Sequence, residues 1–199
     1  MKSFKQHIVE KLKVTKVNTP KYTLFPKTKD ELKQMIKDEI SKNGYECSLN
    51  HVDVSKITDM SELFMDSNFN GDISMWDVSK VENMEGLFWW SAFSGDITNW
   101  DVSSVTDMKY MFYKSKFNGD ISNWDVSTVK DMEYMFAKSD FTGDISSWDV
   151  SDVENMNCMF YDSNFNGDIS NWDVSGVINM SDMFSYSPLE NDPPKWYEE

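Results

Sequence analysis

Apolar positions in this chain recur with a period of 24 residues. Trp76, Trp100, Trp124, Trp148 and Trp172 stand 24 residues apart, and a fixed period of this size marks a fold built from repeated units. The frame extends back to Val52 and forward to Trp196, which gives six units over 52–195 and the start of a seventh. The unit 124–147 shows eight columns that stay apolar in nearly every copy: those of Trp124, Val126, Val129, Met132, Met135, Phe136, Phe141 and Ile145. One unit alone cannot bury a third of its residues, so the columns must pack against the units above and below. The pattern therefore predicts a repeat solenoid.

The first fifty residues follow a different period. Leu32, Met35, Ile36 and Ile40 have helical spacing, Thr28 and Glu31 have capping-box spacing, and Gly44 suits a helix end. These signals predict a helix over 29–42. With its lead-in to residue 51, it reads as the N-terminal cap over the first unit, since repeat arrays need polar ends for solubility. Ahead of it, 1–18 reads as a basic amphipathic segment with Phe4, Ile8 and Leu12 on one face, and 19–28 reads as a Pro-bearing linker. Residues 196–199 form the C-terminal end, where Pro188, Pro193 and Pro194 are expected to block the addition of further units.

Composition narrows the class. The chain has 199 residues, 34 acids against 19 Lys and no Arg, with a net charge of -15. Such a balance excludes a generic nucleic-acid binder. The charge is unevenly placed: 1–49 hold 11 Lys and 6 acids, net +5, whereas 50–199 hold 8 Lys and 28 acids, net -20. A hydrophobic content of 40%, with 15% aromatic, implies a packed core rather than an acidic disordered tail. Cys47 and Cys158 have neither disulfide-framework nor metal-site spacing. No stretch reads as a signal peptide, membrane span or wall anchor, so the sequence alone suggests a cytoplasmic or non-classically exported protein. Membrane contact is expected only through 1–18, and a monomer is the default.

The remaining columns read as structure before chemistry. Met60, Met84, Met108, Met132, Met156 and Met180 lie in a column, and the column three residues on accepts Leu63 and Leu87 beside Met111, Met135, Met159 and Met183. This is the mark of core filling rather than of a sulfur metal site. Two Asp files, containing Asp77 and Asp72, and a Gly file running from Gly71 to Gly167 read as turn chemistry, with Gly at positive φ and Asp accepting backbone bonds. Calcium along the Asp files is the rival, although the nonapeptide of calcium solenoids is missing. The Ser file of Ser55 and Ser79 reads as turn caps. Neither His nor Lys occupies a column that would activate these hydroxyls, so no catalytic residue, metal site or cofactor is assigned.

The copies Phe117 to Phe136 and Phe165 to Phe184, which read Phe-Asn-Gly-Asp-Ile-Ser-Asn-Trp-Asp-Val-Ser-x-Val-x-x-Met-x-x-Met-Phe, resemble the Met/Trp-containing repeats of BspA-like leucine-rich-repeat surface proteins of bacteria. The resemblance implies a leucine-rich-repeat-like, right-handed coil with one short parallel strand per turn. It also implies surface exposure, adhesion and protein binding.

Variable positions in a fixed scaffold are the candidates for recognition. The column after the second Phe holds Met65, Trp89, Tyr113, Ala137, Tyr161 and Ser185, with Trp90, Tyr110, Tyr134 and Tyr186 nearby. Trp89, Trp90, Tyr110, Tyr113, Tyr134 and Tyr161 are the candidate binding residues, for another protein or a glycan. The sequence thus predicts a non-enzymatic interaction or adhesion module. One alternative is a structural or virion- or assembly-associated accessory protein addressed by its basic N-terminal segment. The other is a carbohydrate-active enzyme using Asp pairs, which is disfavoured because those Asp recur in every unit.

Overall fold

A computed structural model describes residues 21–197; the basic segment 1–18 lies outside the described residues. Helix α1 spans Lys29–Asn43. The Thr28 hydroxyl accepts the Glu31 N–H at 3.2 Å, while the Glu31 carboxylate reaches back to the Lys27 N–H at 2.7 Å, so two of the helix entry's donors are met. Gly44, at φ 83°, closes the helix with its N–H on the Ile40 carbonyl. Leu32 and Ile36 are buried against the first coil, and Lys29 bonds both Asp59 and Ser61 there. The stretch read as a linker is also attached. Leu24 forms a parallel bridge with Val52, and the Asp53 N–H donates to the Leu24 carbonyl at 2.9 Å.

From Val52 onward the 24-residue units lie on one another. The N–H groups of Met108, Tyr110, Phe112 and Lys114 donate to the carbonyls of Asp131, Glu133, Met135 and Ala137 at 2.9–3.0 Å. The same four-bond row joins every pair of successive coils from 60–66 to 180–186, always at 2.7–3.0 Å. The intervening residues turn inward instead: Met111, Tyr113 and Ser115 donate to the carbonyls three residues before them. This corrects the expectation of a short strand per coil. Among the described residues, each coil contributes a single parallel bridge residue, at Asp59, Asn83, Asp107, Asp131, Asn155 and Asn179. The chain beyond it cannot extend, because every second residue closes a turn.

Those turns need an unusual backbone. The second and fourth donors of each row take φ between 50° and 62°: Glu62 and Asp66, Gly86 and Trp90, Tyr110 and Lys114, Tyr134 and Lys138, Cys158 and Asp162, Asp182 and Tyr186. Gly occupies only one of these twelve positions. For the others the left-handed conformation costs about 1–2 kcal/mol per residue, which the inter-coil bonds and the core must offset.

The core is a set of aromatic files. Phe64, Phe88, Phe112, Phe136, Phe160 and Phe184 stack at 5.5–6.0 Å. A second file beginning Phe69, Phe93, Phe117 packs into the first at 4.3–4.7 Å. Every ring in both files is buried. The spacing within files exceeds the ~4.8 Å between paired strands, as offset stacking requires. Each indole N–H of the Trp file donates to the carbonyl 27 residues earlier, from Trp76 on Leu49 to Trp196 on Ile169, at 2.9–3.2 Å. Trp196 therefore completes the Trp file, stacked 6.4 Å from Trp172. The Met file is fully buried from Met60 to Met156, while its last member, Met180, is half-buried at the end of the stack.

The polar columns differ from expectation in two respects. Gly71, Gly95, Gly119, Gly143 and Gly167 do not have positive φ. They are glycines because the Phe two residues earlier lies over them: a Cβ on Gly119 would sit 2.8 Å from the Phe117 ring. The Ser79-type hydroxyls, expected as turn caps, act as donors in the turn rather than as capping acceptors. They donate to the Asp two residues before, as Ser127 does to Asp125 at 2.6 Å, and the same carboxylate oxygen accepts the Ser N–H at 3.2 Å. Such bonds hold Asp120, Asp144, Asp149, Asp168 and Asp173 below the usual carboxylate range. The small Ser file, buried from Ser91 to Ser187, turns the corner at Ser91, Ser115, Ser139 and Ser163 by accepting the N–H two residues on, as Ser115 does from Phe117 at 3.1 Å.

Pro188 does not blunt the last coil as expected. Pro188 opens a short 3₁₀ turn, Pro188–Glu190, at the position whose counterpart Asn164 donates to the preceding coil through its N–H to the Ser139 carbonyl. It removes a bond toward the preceding coil, not toward a following one.

Two outcomes follow from this packing. Gly119→Ala lowers stability by about 1–3 kcal/mol, read as a shift of the urea midpoint, because the Phe117 ring is wedged between Phe112 and Phe93. For Asp120, Asp144, Asp149, Asp168 and Asp173 the folded pKa lies below the unfolded value, so their contribution is complete above about pH 4. It is lost as pH falls through the folded values, and the melting temperature drops steeply only in that acid range.

Candidate binding surface

The candidate aromatic residues project from the turn rows, where two adjacent columns meet. Trp89, Tyr110 and Tyr134 stack face to face along three successive coils, with centroids 5.0 Å apart at each step. Tyr113 sets its edge against all three, at 5.5–6.1 Å. The left-handed backbone at Tyr110 and Tyr134 places these rings, each half-buried. Ala137 and Cys158 occupy the next positions in the two columns and end the stack, since both are small and buried. Tyr161 falls beyond this break and pairs edge-on with Tyr186 at 5.3 Å. Trp90 stands apart, 61% exposed, itself at a left-handed position.

Three lysines that the aromatic pattern alone did not single out join these pieces. The Lys114 ammonium lies 5.4 Å from the Trp90 ring centroid and 5.6 Å from that of Tyr113. Lys109 lies 5.4 Å from the centroid of Tyr110, and Lys138 5.5 Å from that of Tyr161. Such placements are attractive through the ring quadrupole. The signal was present in the sequence, because Lys114 and Lys138 are 24 residues apart and follow the variable column directly. Lys109 bonds Glu133, and that bond raises its pKa further. Burial raises the Tyr110 phenol, and a hydrogen bond with Cys158 raises that of Tyr134. Tyr110 and Tyr134 therefore stay neutral and Lys109 charged at neutral pH.

A third file of Asp and Asn borders the ridge: Asp59, Asn83, Asp107, Asp131, Asn155 and Asn179, each accepting the N–H two residues on at 2.8–3.1 Å. Its alternation of Asp and Asn hid it among the pure Asp files. Where two Asp are adjacent the cost is visible. Burial, followed by the charges of Asp131 and Glu133, raises the Asp107 carboxyl above its ordinary value, despite the bond from the Lys109 N–H. Asn155 relieves Asp131 by donating to both carboxylate oxygens at 3.2–3.3 Å.

Among the described residues, no group of three or more His, Cys, Asp or Glu has the arrangement to hold a metal ion, and no helix is long and apolar enough to cross a membrane.

The family model described as "Mycoplasma protein of unknown function, DUF285" matches residues 30–136 and again residues 89–196, in overlapping registers, as a repeated pattern should. The chain belongs to this family. Both matches span the ridge coils, so the turn rows and aromatic files described above lie within the DUF285 repeat. No curated protein and no solved structure matches the chain.

Asp107→Asn tests the electrostatics of the bordering file. Asn already serves this column at 83 and 155 and keeps the acceptor for the Lys109 N–H. A raised folded pKa is a penalty at neutral pH that disappears below the unfolded carboxylate value of about 3.9. The substitution should raise the melting temperature at pH 7 and leave it unchanged near pH 3.

Proposed function

We propose that this chain is a non-enzymatic protein-interaction module. On this reading its coils form a leucine-rich-repeat-like, right-handed solenoid of the BspA-like kind, and the ridge of Trp89, Trp90, Tyr110, Tyr113 and Tyr134 engages another protein. The observation that carries the proposal is the exposed Trp90 indole held beside Lys114 and Tyr113. A large indole left in water at a strained backbone position has no packing reason to be there, and Trp, Tyr and cationic groups are the usual anchors of protein interfaces. Protein is favoured over glycan for a geometric reason. Sugar stacking needs open ring faces, whereas Trp89, Tyr110 and Tyr134 spend theirs on one another and present edges, hydroxyls and ammoniums. The lysines direct the ridge toward acidic or carbonyl-rich partner surfaces. The resemblance to surface repeats supports an adhesive role.

The test is affinity capture from candidate host and self proteomes with the full chain, and with a Trp90→Ala, Tyr113→Ala double variant. Loss of two anchors costs at least about 2 kcal/mol, a thirtyfold weakening, while the melting temperature stays close to that of the parent. Capture that is unaffected by the double variant would sink the proposal, and binding on a glycan array that survives it would transfer the function to another surface.

A further inference from the structure

The two ends of the stack carry complementary sets of unused backbone groups. At the C-terminal end the sixth coil repeats the donor row of the coils before it, at Met180, Asp182, Phe184 and Tyr186. Among the described residues these N–H groups have no acceptor. Around them lies a hollow of about 380 Å³ lined by Ile178, Asn179, Met180, Asp182, Ser185 and Tyr197, and Ile178 is 82% exposed. At the other end the first coil repeats the acceptor row. The carbonyls of Asp59, Ser61, Leu63 and Met65, the counterparts of Asn83, Glu85, Leu87 and Trp89, receive no hydrogen bond among the described residues. Helix α1 lies across this end, but none of its backbone N–H groups donates to these carbonyls. It leaves a groove of about 680 Å³ beside Ile36, Ile40, Leu63, Phe64 and Met65.

We propose that copies of this chain associate head to tail, the donor row of one copy meeting the first-coil acceptor row of the next as α1 moves aside. The template is continuity with the interface inside the chain: the same four donors meet the same four acceptors, in the same order, at five successive junctions, each at 2.7–3.0 Å. A two-fold, tail-to-tail pairing is excluded by the same chemistry, since it would oppose donors to donors. The contact is heterologous, so it propagates into a linear stack rather than closing as a dimer. Helix α1 acts as the stop. Leu32 and Ile36 hold it on the first coil through burial, and Lys29 through Asp59 and Ser61. Association therefore competes with α1 docking.

Sedimentation velocity on the full chain tests this. The expected result is a concentration-dependent rise in sedimentation coefficient that shifts to at least about tenfold lower concentration in Lys29→Ala, which loosens α1. In the Lys29→Ala background, Ile178→Arg blocks the tail and Met65→Arg blocks the head. Both positions are exposed, and thermal melts confirm that the variants are folded. Each blocked variant alone should be monomeric, and their equimolar mixture should form a one-to-one dimer and nothing larger. The proposal is overturned if the parent and Lys29→Ala both remain monomeric up to about 1 mM, if either blocked variant still associates alone, or if the mixture yields no dimer. None of the three positions belongs to the aromatic ridge, so this result and that of the capture experiment are independent.

Discussion

Everything in this molecule depends on one row of four backbone hydrogen bonds repeated between successive coils. The row is made from consecutive turns rather than from a strand, and that choice sets the rest. Turns place alternate N–H groups along the stacking axis, and they require the second and fourth donors to adopt positive φ. The same turns fold the Phe ring of one column against the next, so that the two Phe files interlock at 4.3–4.7 Å. Backbone strain and aromatic burial are therefore two consequences of one geometry. Burial of a Phe or Trp, about 1.5–3 kcal/mol each, is of the size needed to offset a left-handed residue in the same coil.

The row also organises the surface. A side chain at a left-handed position leaves the coil in a direction that an ordinary turn residue does not take. Tyr110 uses that direction to stack on Trp89 and Tyr134 to stack on Tyr110, while Trp90 and Tyr186 use it to face water. Where the column holds Cys158 the file of rings stops. The ridge is thus a local decoration of a constraint that every coil obeys, and the lysines at 109, 114 and 138 bind its pieces through ring contacts. The ends follow the same logic. A row that gives four donors downward and takes four acceptors upward leaves, among the described residues, one unpaired set at each end, with α1 across the first coil and Trp196 and Tyr197 against Phe184 of the last.

Acidity has a structural origin in large part. Three files of Asp or Asn, one member of each per coil, fasten turns by accepting N–H groups two residues on, as Asp125, Asp120 and Asp131 do. All three files also take hydroxyl protons, as Asp125 does from Ser127, Asp120 from Ser122 and Asp59 from Ser61. The charge is tolerated where such donors are plentiful and becomes costly where Asp107 and Asp131 follow one another with partial burial.

The sequence by itself determined the period, the number of coils, the buried columns, the cap of α1 and the membership of Trp196 in the Trp file, because each of these is a statement about which side chains must leave water. Burial is legible from residue type and spacing alone. Only the tertiary structure decided the backbone of the rows, the reason for Gly119 and its file, the third Asx column and the split of the six candidate aromatics into a stacked group, an isolated Trp90 and a Tyr161 pair. A Tyr or Trp at positive φ runs against its local preference, so nothing in its identity announces it. That conformation is imposed by the four bonds to the neighbouring coil, which exist only once the coils are stacked.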